Sequence, residues 1–411
     1  MFTNNKIILF NLNRYVGGGE TLLSRYAMYL EVNNIDYLIV CAKGSYIESS
    51  SQDNELNFIN WPLVEDSLIY KREAVANVQK FFIDNLPKDV VFNFFTFCMR
   101  DYVNVSLIFK DLNFNAKIFH GVYHNQDYKY LSSFSLNPKY YHVFFKDILR
   151  NLYFNKAVLF MNNHGFIESI GNRNSDLTPD FRPIPITLFD DDPISSEALI
   201  LTRNINKVLC ISRFAAFKIG AVVAFLRLAR KNPNLNFTLV GHGPFEFLIT
   251  FLIKLWSLTN ITLLTDVVPS QLKEIIGKHH IGYAQGTSIL EIAKLGKPVI
   301  IAPYSRLADI FNSRFRTYGV FGFVDDKFIF GDLVYKQGYP SMSLQNALND
   351  ITLDYSNFKN GTLKAVKNYD SNEIFKLITS DILEGSLEIA KWPKISINPP
   401  LLKRLVKGIK R

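Results

Sequence analysis

KVLCISRFAAFKIGAVVAFLRLARKNPNLNFTLVG, residues 207–241, decides the fold. Lys207–Ile211 is a short apolar run, Ala221–Arg230 repeats its apolar residues at helical spacing, and Phe237–Gly241 is a second apolar run. Runs that are apolar throughout, rather than alternating, mark strands buried on both faces. Strand, helix and strand in series give parallel strands joined by a right-handed crossover.

The same alternation continues downstream. Helical patterns over Pro244–Trp256, Pro269–Gly277 and Thr287–Leu295 separate strand candidates at Ile261–Leu264, Ile281–Ala284 and Pro298–Ala302. Upstream, strand candidates lie at Lys6–Asn11, Tyr37–Ala42, Val90–Phe95, Lys117–Gly121 and Val158–Met161, with helical patterns such as Thr21–Asn33 and Lys71–Asn85 among them. The stretch Asn172–Asp192, rich in Pro, Asp and Asn, reads as a linker. Beyond Ser341 the pattern turns mostly helical and ends in a basic tail. The expected fold class is therefore α/β, with two Rossmann-like doubly wound domains in tandem. Their expected extents are 1–190 and 191–375, followed by a helical, basic tail over 376–411.

The bulk numbers agree with two domains. The chain has 411 residues, more than one ordinary domain holds, and its 48% hydrophobic content excludes disorder. Cys41, Cys98 and Cys210 lie far apart in apolar runs, which gives neither a disulfide framework nor a zinc site. The first ten residues, MFTNNKIILF, read as a first strand rather than a leader, and no run approaches the ~20 apolar residues a bilayer span needs. A cytoplasmic protein is expected. The net charge of +9 suits an anionic partner.

In open parallel sheets, ligands bind beyond the carboxyl ends of the strands, so the residues there carry the functional reading. Arg213 follows the strand ending at Ile211, Lys218 lies five positions later, and Gly220 opens a helix. A guanidinium fork, a mobile ammonium and a helix N-terminus suit one diphosphate. A second group follows the strand Ile281–Ala284. Gly286 leads into Thr287 and Ser288, which are placed to cap a helix, and Glu291 stands one turn further on. A carboxylate there can accept hydrogen bonds from a ribose diol. Gly17, Gly18 and Gly19 lie between the first strand and the first helix, where glycines allow close backbone approach.

These segments together resemble the GT-B glycosyltransferases, in particular the large retaining family known as group 1. The resemblance spans roughly Lys6 to Ser305. A Gly-Gly-x-Glu loop corresponds to Gly18, Gly19 and Glu20. The Arg and Lys that bind the donor diphosphate correspond to Arg213 and Lys218. A Gly-x-Gly-Pro turn corresponds to Gly241, Gly243 and Pro244, and a Glu-led block ending in Gly-x-Pro-Val corresponds to Glu291–Val299. The resemblance implies a nucleotide-sugar donor with Glu291 on its ribose, and two domains facing across a cleft are expected; with Arg213 and Lys218 available to neutralise the diphosphate, no metal or separate cofactor is expected. One departure stands out. Tyr283 occupies the position, eight before Glu291, where the family carries an earlier glutamate, and the stereochemical outcome stays open.

His120, at the end of a strand, is the leading candidate for an acceptor-side or proton-transferring group, with His124 and Asp127 nearby and His164 as a further candidate. His279 and His280 precede a strand and read as structural. Asp190, Asp191 and Asp192 lie in the linker and read as solvated carboxylates rather than metal ligands. Residues 401–411 form a basic amphipathic segment suited to an anionic membrane surface or to packing on the protein. No nucleic-acid recognition module accompanies the positive charge. The expectation is a glycosyltransferase acting on a saccharide or lipid-linked acceptor in bacterial surface polysaccharide assembly, peripheral to the inner membrane face. A nucleotide-sugar epimerase and a non-catalytic nucleotide-sugar-binding protein are the alternatives.

Overall fold

The computed structural model describes residues 5–14, 18–63, 72–87, 89–110, 112, 114–122, 138–161, 166, 170, 205–216, 218–267, 269–303, 305, 310–311, 316–324, 342–385 and 387–388. The chain forms two compact units, Met1–Pro185 with Asn372–Arg411, and Ile186–Ser371.

The first unit is built on β1 (Asn5–Asn11), β2 (Tyr37–Cys41), β3 (Phe58–Asn60), β4 (Val91–Thr96), β5 (Ala116–Val122), β6 (Val158–Phe160) and β14 (Leu387–Glu388). Its helices are α1 (Gly18–Val32), α2 (Tyr46–Asp53), α3 (Arg72–Asn85), α4 (Met99–Phe109) and α5 (Pro138–Phe154). The strand order is β14-β5-β4-β1-β2-β3, with β6 beside the later part of β5. All pairings are parallel except that of β14. Ile7, Ile8, Leu9 and Phe10 of β1 are completely buried. A strand covered on both faces loses its alternation, which is why this segment reads as a continuous apolar run. The core below it is aromatic, with Phe94 and Phe109 ring centroids 4.4 Å apart and Phe82 and Phe109 5.0 Å apart.

Helix α12 (Ser371–Gly385) closes this unit from the far end of the chain. Phe375 packs its ring 5.1 Å from Tyr26 and 5.5 Å from Tyr29 of α1, and the buried Tyr26 and Thr379 hydroxyls lie 3.0 Å apart. Leu387 of β14 then pairs with Ile118 of β5.

The second unit carries a five-stranded, wholly parallel sheet in the order β11-β10-β7-β8-β9. Its strands are β7 (Lys207–Ile211), β8 (Asn236–Val240), β9 (Ile261–Leu264), β10 (Ile281–Ala284) and β11 (Val299–Ile301). The crossovers are α6 (Ile219–Lys231), α7 (Glu246–Leu255), α8 (Pro269–Gly277) and α9 (Thr287–Ala293). A small ladder of β12 (Arg316–Thr317) and β13 (Met342–Ser343) follows, then α10 (Leu344–Leu353) and α11 (Tyr355–Val366). Ser343 caps α10 by accepting from the Asn346 N–H at 3.0 Å.

Both sheets reverse direction in the same way. Strand order departs leftward and rightward from β1 in one unit and from β7 in the other, so the β1/β4 and β7/β10 junctions are topological switch points. This is the Rossmann-like, doubly wound arrangement expected for each half.

Candidate functional site

At the carboxyl edge of the second sheet, Ile211 of β7 lies in register with Ala284 of β10. Arg213 and Gly286 each follow two residues later, so the two loops leave the sheet side by side at the switch point. Arg213 is exposed, while the next residue, Phe214, is fully buried. Its loop is held by the loop after β8. The Ser212 N–H donates to the Val240 carbonyl at 3.0 Å, the Phe214 N–H to His242 O at 2.9 Å, and the Phe245 N–H to Phe214 O at 3.1 Å. Gly241 makes this contact possible: a Cβ there would stand 1.8 Å from the Ser212 carbonyl oxygen. A Cβ at Gly243 would meet Phe214 O at 2.9 Å. In this structure the two glycines hold the Arg213 loop.

Lys218 is the half-buried residue that precedes α6. Its ammonium is pushed down to about 8 by burial first and by the positive Arg213 second. The two cations are therefore close enough to feel each other, the arrangement a diphosphate would neutralise. Below Lys218, the Cys210 thiol is pushed up by its burial. The first turn of α6 is less open than a bare helix start. The Ile219 N–H donates to Ala215 O at 2.9 Å and the Ala221 N–H to the buried Ser305 hydroxyl at 3.2 Å.

On the β10 side the cap differs from the sequence expectation. Gly286, not Thr287 or Ser288, holds the N-cap position of α9, with φ 69° and ψ −142° and no side-chain cap bond. That backbone region is open essentially only to glycine, so the chain turns there by conformation rather than by a hydroxyl cap. Thr287 and Ser288 are the first two helical residues and are half-buried. Glu291 lies one turn along and forms an ion pair with Lys294 at 2.6 Å. Gln285 is buried, and its Oε1 has no hydrogen-bond partner among the described residues.

The departure at Tyr283 has a structural explanation. Its side chain is buried in the core, stacked on Phe225 at 5.7 Å and 6°, and its hydroxyl donates to the Ala221 carbonyl at 3.2 Å. A carboxylate at that place would be desolvated against an aromatic ring.

In the first unit, Gly18, Gly19 and Glu20 open α1 beyond β1. The buried Glu20 carboxylate accepts from the Asn13 amide at 2.8 Å and from the Asn11 amide at 3.4 Å. Those two asparagines tie the end of β1 to the start of α1. His120 lies within β5, 2% exposed, its Nδ1 2.9 Å from the Thr96 hydroxyl of the neighbouring strand. Burial pushes its imidazolium down to about 3, so the ring is neutral at pH 7 and a weak base. That environment suits hydrogen bonding better than proton abstraction. Nearby in sequence, Asp101 is fully buried in the first turn of α4. Its carboxyl is raised by desolvation, partly offset by Arg100, whose Nε lies 3.5 Å away.

His279 and His280 serve the fold. His279 bridges Ile275 O at 2.6 Å and the Thr238 hydroxyl at 2.8 Å, and His280 Nδ1 accepts from the Lys207 N–H at 3.2 Å. Gly17, His124, Asp127, His164, Asp190–Asp192 and 401–411 lie outside the described residues. Among the described residues, no group of three or more His, Cys, Asp or Glu could hold a metal ion, and no helix is long and apolar enough to cross a membrane. Asn13, Thr96, Gln285 and Ser305 escaped the sequence reading. The one available signal was polarity at the end of an apolar run, which Asn13, Thr96 and Gln285 all show.

No family model matches the sequence, nor does any curated protein. Solved structures do match. A glycosyltransferase from Rickettsia africae superposes with a TM-score of 0.62 at 14% identity, over 94% of this chain and 100% of that one. HepE from Anabaena, solved with UDP and glucose, gives 0.59 at 14% identity, over 92% and 99%. Sucrose-phosphate synthase from Thermosynechococcus elongatus gives 0.61 at 14%, over 92% and 98%. The match runs along nearly the whole length of these proteins: the chain has the GT-B fold of the glycosyltransferases.

Proposed function

We propose that this chain is a glycosyltransferase that moves a sugar from a nucleoside diphosphate donor to an acceptor hydroxyl. The observation that carries this reading is the pairing of Arg213 and Lys218 at the β7/β10 switch point, where burial first and the Arg213 charge second push the Lys218 ammonium down. Two cations close enough to repel each other favour an anion that bridges them, and a pyrophosphate fits both. In the transfer, the bond from the sugar C1 to the diphosphate breaks and its electron pair leaves with the diphosphate. The acceptor oxygen bonds to C1 and its proton passes to solvent or a neighbouring base. Arg213 and Lys218 stabilise the charge growing on the leaving group, usually the largest catalytic term. They supply the positive charge that a divalent ion supplies in other transferases.

Glu291 takes the donor ribose, and Gly286 with the first helical residues Thr287 and Ser288 lies beside the phosphates. Gly18, Gly19 and Glu20 are the donor-binding candidates at the start of α1, and Gly241 and Gly243 act through the Arg213 loop. His120 serves the acceptor side as a neutral hydrogen-bonding group. Thr96 occupies Nδ1, so a substrate contact falls to Nε2. The likeness to HepE, whose structure holds UDP and glucose, supports a uridine nucleotide as the first donor to test. The biological setting we propose is surface polysaccharide assembly on a lipid-linked acceptor at the inner membrane face, with residues 401–411 touching the lipid.

The test is a thermal-shift screen of UDP, GDP and their sugars. A ligand at 100 times its Kd stabilises by about 2.7 kcal/mol. Arg213→Ala and Lys218→Ala should remove that shift while leaving the unliganded melting point within a few degrees. If both variants keep the full shift, the assignment of the diphosphate site is wrong. Incubation with donor alone separates transfer from epimerisation, since only an epimerase returns an isomerised nucleotide sugar.

A further inference from the structure

Helix α7, EFLITFLIKL, turns an apolar face to solvent. Phe247 is 84% exposed, Phe251 49% and Leu255 60%. At four-residue spacing they form one stripe along the helix. Exposed Lys254 falls inside that stripe, three residues after Phe251 and one before Leu255. The inner face is accounted for, with Ile249 buried and Leu248, Leu252 and Ile253 packed on the core. The stripe is thus surplus to folding.

Its surroundings are basic. Steps from β7 to β8 and from β8 to β9 run the same way across the sheet, so α6 and α7 lie on one face. Arg227 and Arg230 of α6 both stand 5.9 Å from the ring of Trp256, at the end of α7. Together α6 and α7 carry Arg227, Arg230, Lys231 and Lys254 against one carboxylate, Glu246. Arg230, Lys231 and Lys254 are exposed. The cations gather at the carboxyl ends of the two helices, beside the one tryptophan of this helix pair.

We infer that the outer face of α7 docks on an anionic lipid bilayer. Two phenylalanines and a leucine enter the headgroup–acyl boundary, and Arg230, Lys231 and Lys254 meet lipid phosphates. An apolar stripe with basic flanks and an edge tryptophan is the composition of a helix lying in a membrane interface. The exposed stripe amounts to on the order of 300–400 Å², less than half of what each partner buries in a standard protein–protein interface. That area is too small for a stable dimer and enough for a peripheral lipid contact, which the basic flanks reinforce. The contact is independent of what the nucleotide site binds and lies far along the chain from residues 401–411.

Co-sedimentation of the full chain with vesicles tests it. Vesicles of phosphatidylcholine alone are compared with vesicles containing phosphatidylglycerol. The wild type should bind the anionic vesicles and leave neutral ones largely free. The triple variant Phe247→Ser, Phe251→Ser, Leu255→Ser should lose at least tenfold in partition coefficient with its thermal melt unchanged. The same loss should be found when the triple change is made in a full-length chain carrying Lys403→Gln, Arg404→Gln and Lys407→Gln, which isolates α7 from the tail. Unchanged binding by the triple variant overturns the proposal. So does a wild type that ignores anionic vesicles, or a concentration-dependent dimer that the triple variant abolishes.

Discussion

Replacing Gly241 by alanine should release Arg213 from its position without touching any side chain of the site. The added Cβ would stand 1.8 Å from the Ser212 carbonyl oxygen and 3.0 Å from its carbon. Both are backbone atoms, so no side chain can swing aside. The two loops must separate, and the bonds from Ser212 N–H to Val240 O, Phe214 N–H to His242 O and Phe245 N–H to Phe214 O go with them. Three hydrogen bonds at about 1 kcal/mol each put the cost near 3 kcal/mol. For a unit of this size that lowers the melting point by roughly 6–12 °C. The assay is thermal denaturation with and without UDP. Gly241→Ala should melt lower and lose the UDP-dependent shift, while its side-chain cations remain present. A variant that melts within 2 °C of wild type and keeps its nucleotide response would refute the clamp.

The nucleotide affinity should fall as pH rises through about 8, because only the protonated Lys218 attracts phosphate; in Arg213→Ala, NMR titration of the unliganded Lys218 amine should show it losing its proton at higher pH, since Arg213 depresses the amine. His120 has a folded-state value near 3 against 6.5 unfolded, so the unfolded chain takes up the proton first and stability drops as pH falls below 6.5. By pH 5 that loss is about 2 kcal/mol, and urea denaturation at pH 7 and pH 5 should show it shrinking in His120→Gln. Tyr283→Phe should cost about 1 kcal/mol by urea melt with nucleotide affinity intact. Tyr283→Glu, which restores the carboxylate of the resembling family, should cost about 3 kcal/mol or more because the charge is buried without a partner.

The two sheets were legible because their strands are buried on both faces. Ile7–Phe10 and Val208–Cys210 leave no polar position to confuse the reading. The shorter elements were not. β3 has three residues, all half-buried, and α4 runs MRDYVNVSLIF, whose Asp101 and Asn104 look like a surface yet are buried. Only the tertiary fold covers them. β14 is two residues whose place is set by β5, about 270 positions earlier, and no local pattern announces such a pairing. The cations Arg213 and Lys218 were legible as a pair because their spacing around a strand end is local. What held them was not: the Gly241 contact is a collision avoided between two loops, and sequence shows only the glycine. At the cap of α9, Thr287 and Ser288 are good capping residues by type, while the turn there demands a conformation that only Gly286 reaches.

Helix α12 and strand β14 give the chain an order of assembly. The first sheet lacks its last strand, and Tyr26 and Tyr29 lack the ring of Phe375, until all of Ile186–Ser371 has been synthesised. On the ribosome, the early portion must wait through the whole length of the later one with an aromatic surface uncovered. The later unit carries its entire sheet within one uninterrupted stretch and can finish first. A stop codon just before α12 would therefore damage the half of the molecule made earliest, and leave the half made last intact.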